Sequence, residues 1–273
     1  MSQSPLISAS ELHDLFEMGR GPVVLDIRWT LQNGSDRAGY EAGHIPTAQF
    51  VDLGTELAAP PDDRGRHPLP DADTFVAAMR GAGVGDDSAV VVYDAGPATA
   101  AARAWWLLRY FGHRDVRVLD GGFARWVDEG YSVGTEPSIV AAGSFTARPP
   151  LARVLEVEDV LAFARENVLL DARAPERFRG EVEPVDPVAG HIPGAINRPT
   201  TDNVDSDGRF LPPEVLDGAF GGLVPKGKDV AVYCGSGVTA AHQVLALELA
   251  GIDAALYPGS WSGWIADPTR PRA

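Results

Sequence analysis

Val230-Ala231-Val232-Tyr233-Cys234-Gly235-Ser236-Gly237-Val238-Thr239 is an apolar run of four, then a cysteine, a glycine turn and the start of an alanine-rich pattern with helical spacing that reaches Ala250. A run this short and β-branched, feeding through glycines straight into a helix, reads as a buried strand of a parallel sheet. The first half of the chain repeats it. Val90-Val91-Val92-Tyr93 precedes Asp94, and Ala98 to Phe111 carries the helical spacing. Working outward, Val23-Val24-Leu25-Asp26-Ile27-Arg28 is answered by Val168-Leu169-Leu170-Asp171-Ala172-Arg173, and Ala42-Gly43-His44-Ile45-Pro46 by Ala189-Gly190-His191-Ile192-Pro193. Gly121-Gly122-Phe123-Ala124-Arg125-Trp126 pairs with Gly259-Ser260-Trp261-Ser262-Gly263-Trp264. Four matched elements in one order are a tandem duplication. The expected fold is α/β, with two tandem domains, each a mostly parallel sheet covered by helices on both faces. The expected boundaries are residues 1–135, a Pro/Gly-rich linker at 136–152, and 153–273. Stretches from Ala59 to Asp73 and from Pro199 to Pro213 are too long for plain connections and read as ordered excursions, where binding residues tend to sit.

Composition narrows the function. The chain has 273 residues, 45% hydrophobic and 22% charged, with 38 acidic against 23 basic residues and a net charge of −15. Such a field repels phosphate backbones and anionic headgroups, and only Lys226 and Lys228 supply lysine charge, so neither nucleic acid nor membrane is expected as a partner. No apolar run approaches the roughly 18 residues a bilayer span needs. Met1-Ser2-Gln3-Ser4-Pro5 lacks the basic and apolar regions of a secretory signal, and the expected compartment is the cytoplasm. With one cysteine, neither an internal disulfide nor a cysteine-rich zinc site can form. His13, His113 and His242 show no ligand spacing, so no metal is expected.

Cys234 is placed at the carboxyl end of its strand, where open α/β sheets hold their ligands. Gly235 and Gly237 let successive backbone N–H groups turn inward, and the helix opening at Val238 and Thr239 adds its positive end. That cradle favours an anion, and a thiolate is the nucleophilic form of sulfur. It can attack another sulfur or a phosphorus. The alternative, a cysteine that merely packs, belongs inside a strand and needs no Gly-Ser-Gly after it.

The doubled Asp-x-Arg, Gly-His-Ile-Pro and Gly-x-x-x-x-Trp elements, with Cys-Gly-Ser-Gly-Val-Thr in the second half only, resemble the tandem-domain sulfurtransferases of the rhodanese and 3-mercaptopyruvate sulfurtransferase family, from about Ser8 to Trp264. The resemblance implies two rhodanese-like domains, the first catalytically silent, and a cysteine that carries sulfur as a persulfide. Asp94, in the place of Cys234, agrees, because a carboxylate carries no sulfur. Related phosphatases place an arginine six residues after the cysteine, and Ala240 stands there instead. Arg177 matches the family arginine that binds the substrate anion, and its fork suits a carboxylate; the alternative is an ion pair with Glu176 or Glu181. A second family arginine falls on Val185, which withdraws one contact. His67 and Ser236 match a histidine and serine of the mercaptopyruvate enzymes, while the matching acidic position falls on Gly54. His44, His191, Asp26 and Asp171 occur in both halves, the silent one included, and read as structural.

The expectation is therefore a sulfurtransferase that needs no external cofactor. Cys234, Ser236 and His67 are the catalytic candidates, and Arg177, Gly235, Gly237, Val238 and Thr239 bind the donor. The donor is a small anion, 3-mercaptopyruvate before thiosulfate. The acceptor is cyanide or a thiol, borne by a small molecule or a thioredoxin-like protein. The alternatives are a thiosulfate:cyanide sulfurtransferase, a cysteine phosphatase and a non-enzymatic sulfur-binding module.

Overall fold

The computed structural model describes residues 4–273, so Met1, Ser2 and Gln3 of the amino-terminal stretch lie outside the described residues. The chain forms two compact units, and each half of the sequence repeat supplies most of one.

In the first unit, strands β1 (Leu6–Ile7), β2 (Val23–Asp26), β5 (Gln49–Phe50), β6 (Val90–Tyr93) and β7 (Val116–Leu119) form a sheet in the order β1-β7-β6-β2-β5, with every pairing parallel. A two-stranded antiparallel ribbon joins β3 (Trp29–Thr30) to β4 (Gly34–Ser35). Side chains alternate across the sheet: Val24, Val91 and Tyr93 pack with Leu12 of the helix Ala9–Glu17 and with Trp126 of the helix Gly122–Asp128. The helix Ala101–Tyr110 packs along β6 and β7. Ser8 starts the first helix as a capping box, its Oγ accepting from Glu11 N while the Glu11 carboxylate accepts from Ser8 N.

The second unit has β8 (Arg153–Val154), β9 (Val168–Asp171), β10 (Ile196–Asn197), β11 (Val230–Tyr233) and β12 (Ala254–Leu256) in the order β10-β9-β11-β12-β8, again all parallel. The two orders superimpose element by element. Even the register repeats, with Asp26 opposite Tyr93 and Asp171 opposite Tyr233. Trp261 and Trp264 are fully buried in this core, where truncation of either to alanine would cost roughly 3–5 kcal/mol.

The repeated polar motifs are struts. The carboxylate of Asp171 is buried and takes a fork from Arg173, whose Nη2 also donates to Gly190 O at 2.7 Å; Asp26, Arg28 and Gly43 do the same in the first unit. Each pair ties a strand end to the following Gly-His-Ile-Pro turn. His44 and His191 bond through Nδ1 to the carbonyls of Tyr40 and Phe178, both at 2.8 Å, and stack on the rings of those same residues. These four residues hold the scaffold in both halves, as their presence in both suggests. The carboxyl tail, for which the sequence offered no reading, plays a matching part: Ala273 and His191 exchange backbone bonds as Gly134 and His44 do in the first unit.

Two short segments depart from a simple division into halves. Pro60–Leu69 belongs to the second unit, and Ser206–Phe210 to the first. These are the interiors of the two excursions. Among the described residues no helix is long and apolar enough to cross a membrane.

Candidate active site

Cys234 is the first residue beyond β11, a central strand paired on both sides. The loop that follows is shaped by the helix Ser260–Trp264. Trp261 N donates to Cys234 O at 3.0 Å and Ser262 N to Gly235 O at 2.9 Å, so the loop carbonyls are turned away toward that helix. The amides are left facing the other way: among the described residues, those of Gly235 and Ser236 have no protein acceptor. Gly237 N donates to Cys234 Sγ at 3.2 Å. Gly237 has φ +80°, and a Cβ there would lie 2.4 Å from Pro258 O, so only glycine fits. Val238 and Thr239 open the helix Val238–Leu249, whose first amides have no intrahelical partner. The sulfur therefore sits in a cradle of N–H donors at a helix start, and Cys234 as a residue is 3% exposed.

The corresponding loop of the first unit is filled. Asp94 is buried, and its Oδ1 accepts from Gly96 N and Ala98 N at 3.0 and 3.1 Å, while Oδ2 accepts from Ala100 N and Ala101 N at 2.8 and 3.2 Å. Burial pushes the Asp94 carboxyl above the usual range despite these four amides. The same cradle is filled by the chain's own carboxyl group.

Segment Pro60–Leu69 brings two side chains to Cys234. It turns tightly between Asp62 and Gly65, which exchange backbone bonds of 3.1 and 3.0 Å. Gly65 has φ +129°, and a Cβ on it would meet Gly259 O and Ser262 Oγ at 2.9 Å; a Cβ on Gly263 would meet Arg64 O at 2.4 Å. The backbone of residues 64–66 thus lies against the Gly-x-x-x-Gly spacing of that terminal helix. From this seat His67 Nδ1 makes a 2.8 Å bond with Ser236 Oγ, two residues from the cysteine. Gly54, on which the family's acidic position falls, belongs to the first unit.

Arg177 follows β9 in the short helix Pro175–Phe178. It does not pair with Glu176 or Glu181, as the alternative reading had it. Its Nε and Nη2 are held by Glu183, and Nη2 also donates to Asp186 Oδ2 at 3.2 Å; Glu181 takes Arg179. Burial alone would raise the Glu183 carboxyl, but hydrogen bonds from Arg177 and from the Asp186 and Val185 amides hold it below the ordinary range.

Arg66 is a residue the sequence reading passed over. Its guanidinium forks onto Asp186, with Nε to Oδ1 at 2.9 Å and Nη2 to Oδ2 at 3.3 Å. A Cβ on Gly235 would stand 2.8 Å from Arg66 Nη2 and 3.6 Å from Arg177 Nη1. The loop after the cysteine carries no positive side chain of its own, yet two guanidiniums lie over it. Its only signal was membership of an excursion with two arginines and a histidine in a row of four, Arg64-Gly65-Arg66-His67.

Comparison with known proteins agrees with this architecture. The model of the rhodanese-like domain matches twice, over residues 8–129 and 156–267. A Pseudomonas aeruginosa protein provisionally named 3-mercaptopyruvate sulfurtransferase is 48% identical, covering 92% of each chain. One from Mycobacterium tuberculosis, provisionally named thiosulfate sulfurtransferase SseB, is 45% identical over 97% of this chain and 95% of its own. The crystal structure of SseA from Escherichia coli, a 3-mercaptopyruvate sulfotransferase by its description, superimposes with a TM-score of 0.82 at 34% identity, covering 95% of this chain and all of that one. With two copies of the family model together matching most of its length, the chain belongs to the family of proteins built from rhodanese-like domains.

Proposed function

We propose that the protein is a sulfurtransferase that takes sulfur from 3-mercaptopyruvate onto Cys234 and passes it to a thiol or to cyanide. The Cys234 thiolate attacks the donor sulfur, the carbon–sulfur bond breaks, and its electron pair leaves on carbon as the enolate of pyruvate. A proton delivered to that enolate completes pyruvate, while Cys234 holds the persulfide. An acceptor thiolate then attacks the outer sulfur, the sulfur–sulfur bond breaks and Cys234 is regenerated. No external oxidant or reductant enters. The amides of the loop stabilise the anionic sulfur at each stage. A reducing compartment such as the cytoplasm suits a free nucleophilic thiol.

The bond of 2.8 Å between His67 Nδ1 and Ser236 Oγ carries the choice of donor. An enolate must be protonated as it leaves, and a histidine linked to a hydroxyl beside the nucleophile can supply that proton. Sulfite leaving from thiosulfate needs no proton. The charges point the same way: Arg66 and Arg177 are balanced by Asp186 and Glu183, so the site offers little net positive charge to a dianion. A monoanion with a polarised carbonyl loses less. Ala240, buried six residues beyond Cys234, leaves a phosphatase without a loop arginine for its phosphoryl oxygens. The test is kcat/KM for both donors at one ionic strength, with 3-mercaptopyruvate expected to be preferred; a ratio favouring thiosulfate overturns the reading.

A further inference from the structure

We propose that a cavity of about 590 Å³ in the first unit, between the edge strand β5 and the helix Ala72–Gly81, binds a small primary ammonium compound through Glu56, Gln49 and Thr74. The site is separate from the sulfur chemistry: every residue that lines it belongs to the first unit, and Cys234 to the second.

The three polar side chains of the lining have their donors engaged and acceptors left over. Glu56 Oε2 accepts from Asp52 N at 2.6 Å, and among the described residues Oε1 has no protein donor. The NH2 group of Gln49 donates to the carbonyls of Thr47 and Ala48 at 3.1 and 3.3 Å, which leaves its Oε1 open. Thr74 gives its hydroxyl proton to Asp71 Oδ2 at 3.0 Å and keeps its lone pairs. A wall of acceptors disfavours an anion and suits a ligand rich in donors. A primary ammonium group has three donors and no acceptor.

The charge of the wall has the same sense. Glu56 makes no ion pair among the described residues, and Arg37, the cation that acts on it from nearby, lies over the Phe50 ring at 4.5 Å from its centroid. Burial pushes the Glu56 carboxyl above the ordinary range and the charge of Asp52 adds to this, against the opposing pull of the Asp52 amide and Arg37. A carboxylate partly withdrawn from water and without a counter-ion has much to gain from one. The carboxyl end of the helix, at Gly81 and Ala82, is part of the lining and contributes partial negative charge, while Arg80 of its last turn is directed to Phe145 O at 2.8 Å. The rest of the lining is apolar, with Val51 after the strand and Ala78 on the helix, and it suits a short hydrocarbon body. The volume falls within the range of small-molecule sites.

The probe is n-butylammonium chloride, titrated into the full chain at constant ionic strength and followed by calorimetry and by amide chemical shifts. Saturable binding is expected, with shifts centred on Phe50, Val51 and Ala78. 1-Butanol has the same hydrocarbon body with one donor and no charge, and should bind about 10- to 100-fold more weakly, the value of hydrogen bonds to a charged group. Glu56→Gln keeps an acceptor for Asp52 N and should weaken n-butylammonium by a similar factor. Ala78→Leu keeps the carboxylate but fills the cavity from the partly exposed side of the helix, and should abolish binding. If Glu56→Gln does not fold, the comparison with 1-butanol and the Ala78→Leu variant still decide. Loose association with the net charge of −15 would persist in both variants. Absence of saturable binding, equal affinity for 1-butanol, or affinity unmoved in either variant overturns the proposal.

Discussion

Asp94→Asn tests the expectation that the first unit is catalytically silent, its loop filled by its own carboxyl group. In the native loop the carboxylate accepts four backbone N–H bonds of 2.8 to 3.2 Å, two on each oxygen. Asparagine keeps the shape but turns one oxygen into an NH2 group. Either Gly96 and Ala98 or Ala100 and Ala101 then face a donor with their own donors, and an unsatisfied buried group costs about 1–3 kcal/mol. Two lost acceptors give a gross loss near 4 kcal/mol, offset in part because a neutral amide escapes the burial that pushes the Asp94 carboxyl up. A net destabilisation of about 2–3 kcal/mol is expected, or a fall in Tm of about 5–10 °C at the roughly 2–4 °C per kcal/mol typical of chains this large. Thermal melting by circular dichroism reads the shift, and sulfur transfer at 25 °C should stay at the wild-type rate. An unchanged Tm would refute the idea that the carboxylate fills its own loop; lost activity in a folded variant would refute the silence of the first unit.

Three further outcomes follow from the site. Cys234→Ser should abolish transfer with the fold intact, since serine forms no thiolate and holds no sulfane sulfur, and its intact mass should not rise by one sulfur after donor treatment; residual turnover would dismiss Cys234 as the carrier. His67→Ala should lower kcat with 3-mercaptopyruvate by about 10²- to 10⁴-fold, sparing its KM and sparing thiosulfate turnover; an equal loss with both donors would point to packing instead of proton transfer. Glu183 is held below its free value of 4.5, so its stabilisation is complete above that value and is lost as pH falls through the lower, folded one. The urea midpoint of the wild type should therefore drop more between pH 5 and pH 3 than that of Glu183→Gln, and parallel curves would contradict the shift.

The sheets were legible because burial on both faces leaves a plain mark: β6 and β11 are read from apolar runs of four, and β2 and β9 from runs of three closed by an aspartate. Edge strands of two residues, such as β1 and β10, leave none. The strand exit at Cys234, the glycine at 237 and the struts at Asp26 and Asp171 were legible for local reasons: each is a conformation or a charge whose need is set by its immediate neighbours. The arginine contacts were not. Whether Arg177 meets Glu176, Glu181 or Glu183 depends on a loop path of six residues, and four carboxylates lie within reach along the sequence. Arg66 was hidden more deeply, because its partner Asp186 is 120 residues away and no period or spacing links them.

The duplication helps to explain how one fold came to hold one reactive loop. A cradle of inward N–H groups must find an anion, and the two halves meet that demand differently, with a fixed carboxylate at Asp94 and a nucleophilic sulfur at Cys234. Once Asp94 fills the first cradle, nothing there needs access, and Arg125 can occupy the position where the second half keeps Gly263. The bare glycine surface of the second half gains the opposite property, a seat for a foreign backbone. What takes the seat is Pro60–Leu69, a segment of the first half by sequence and of the second by packing. The first half of the sequence thus reaches the Cys234 loop through an excursion and not through its own loop. It brings a histidine to Ser236 and a guanidinium to Gly235, two kinds of side chain that the loop from Cys234 to Thr239 does not carry itself.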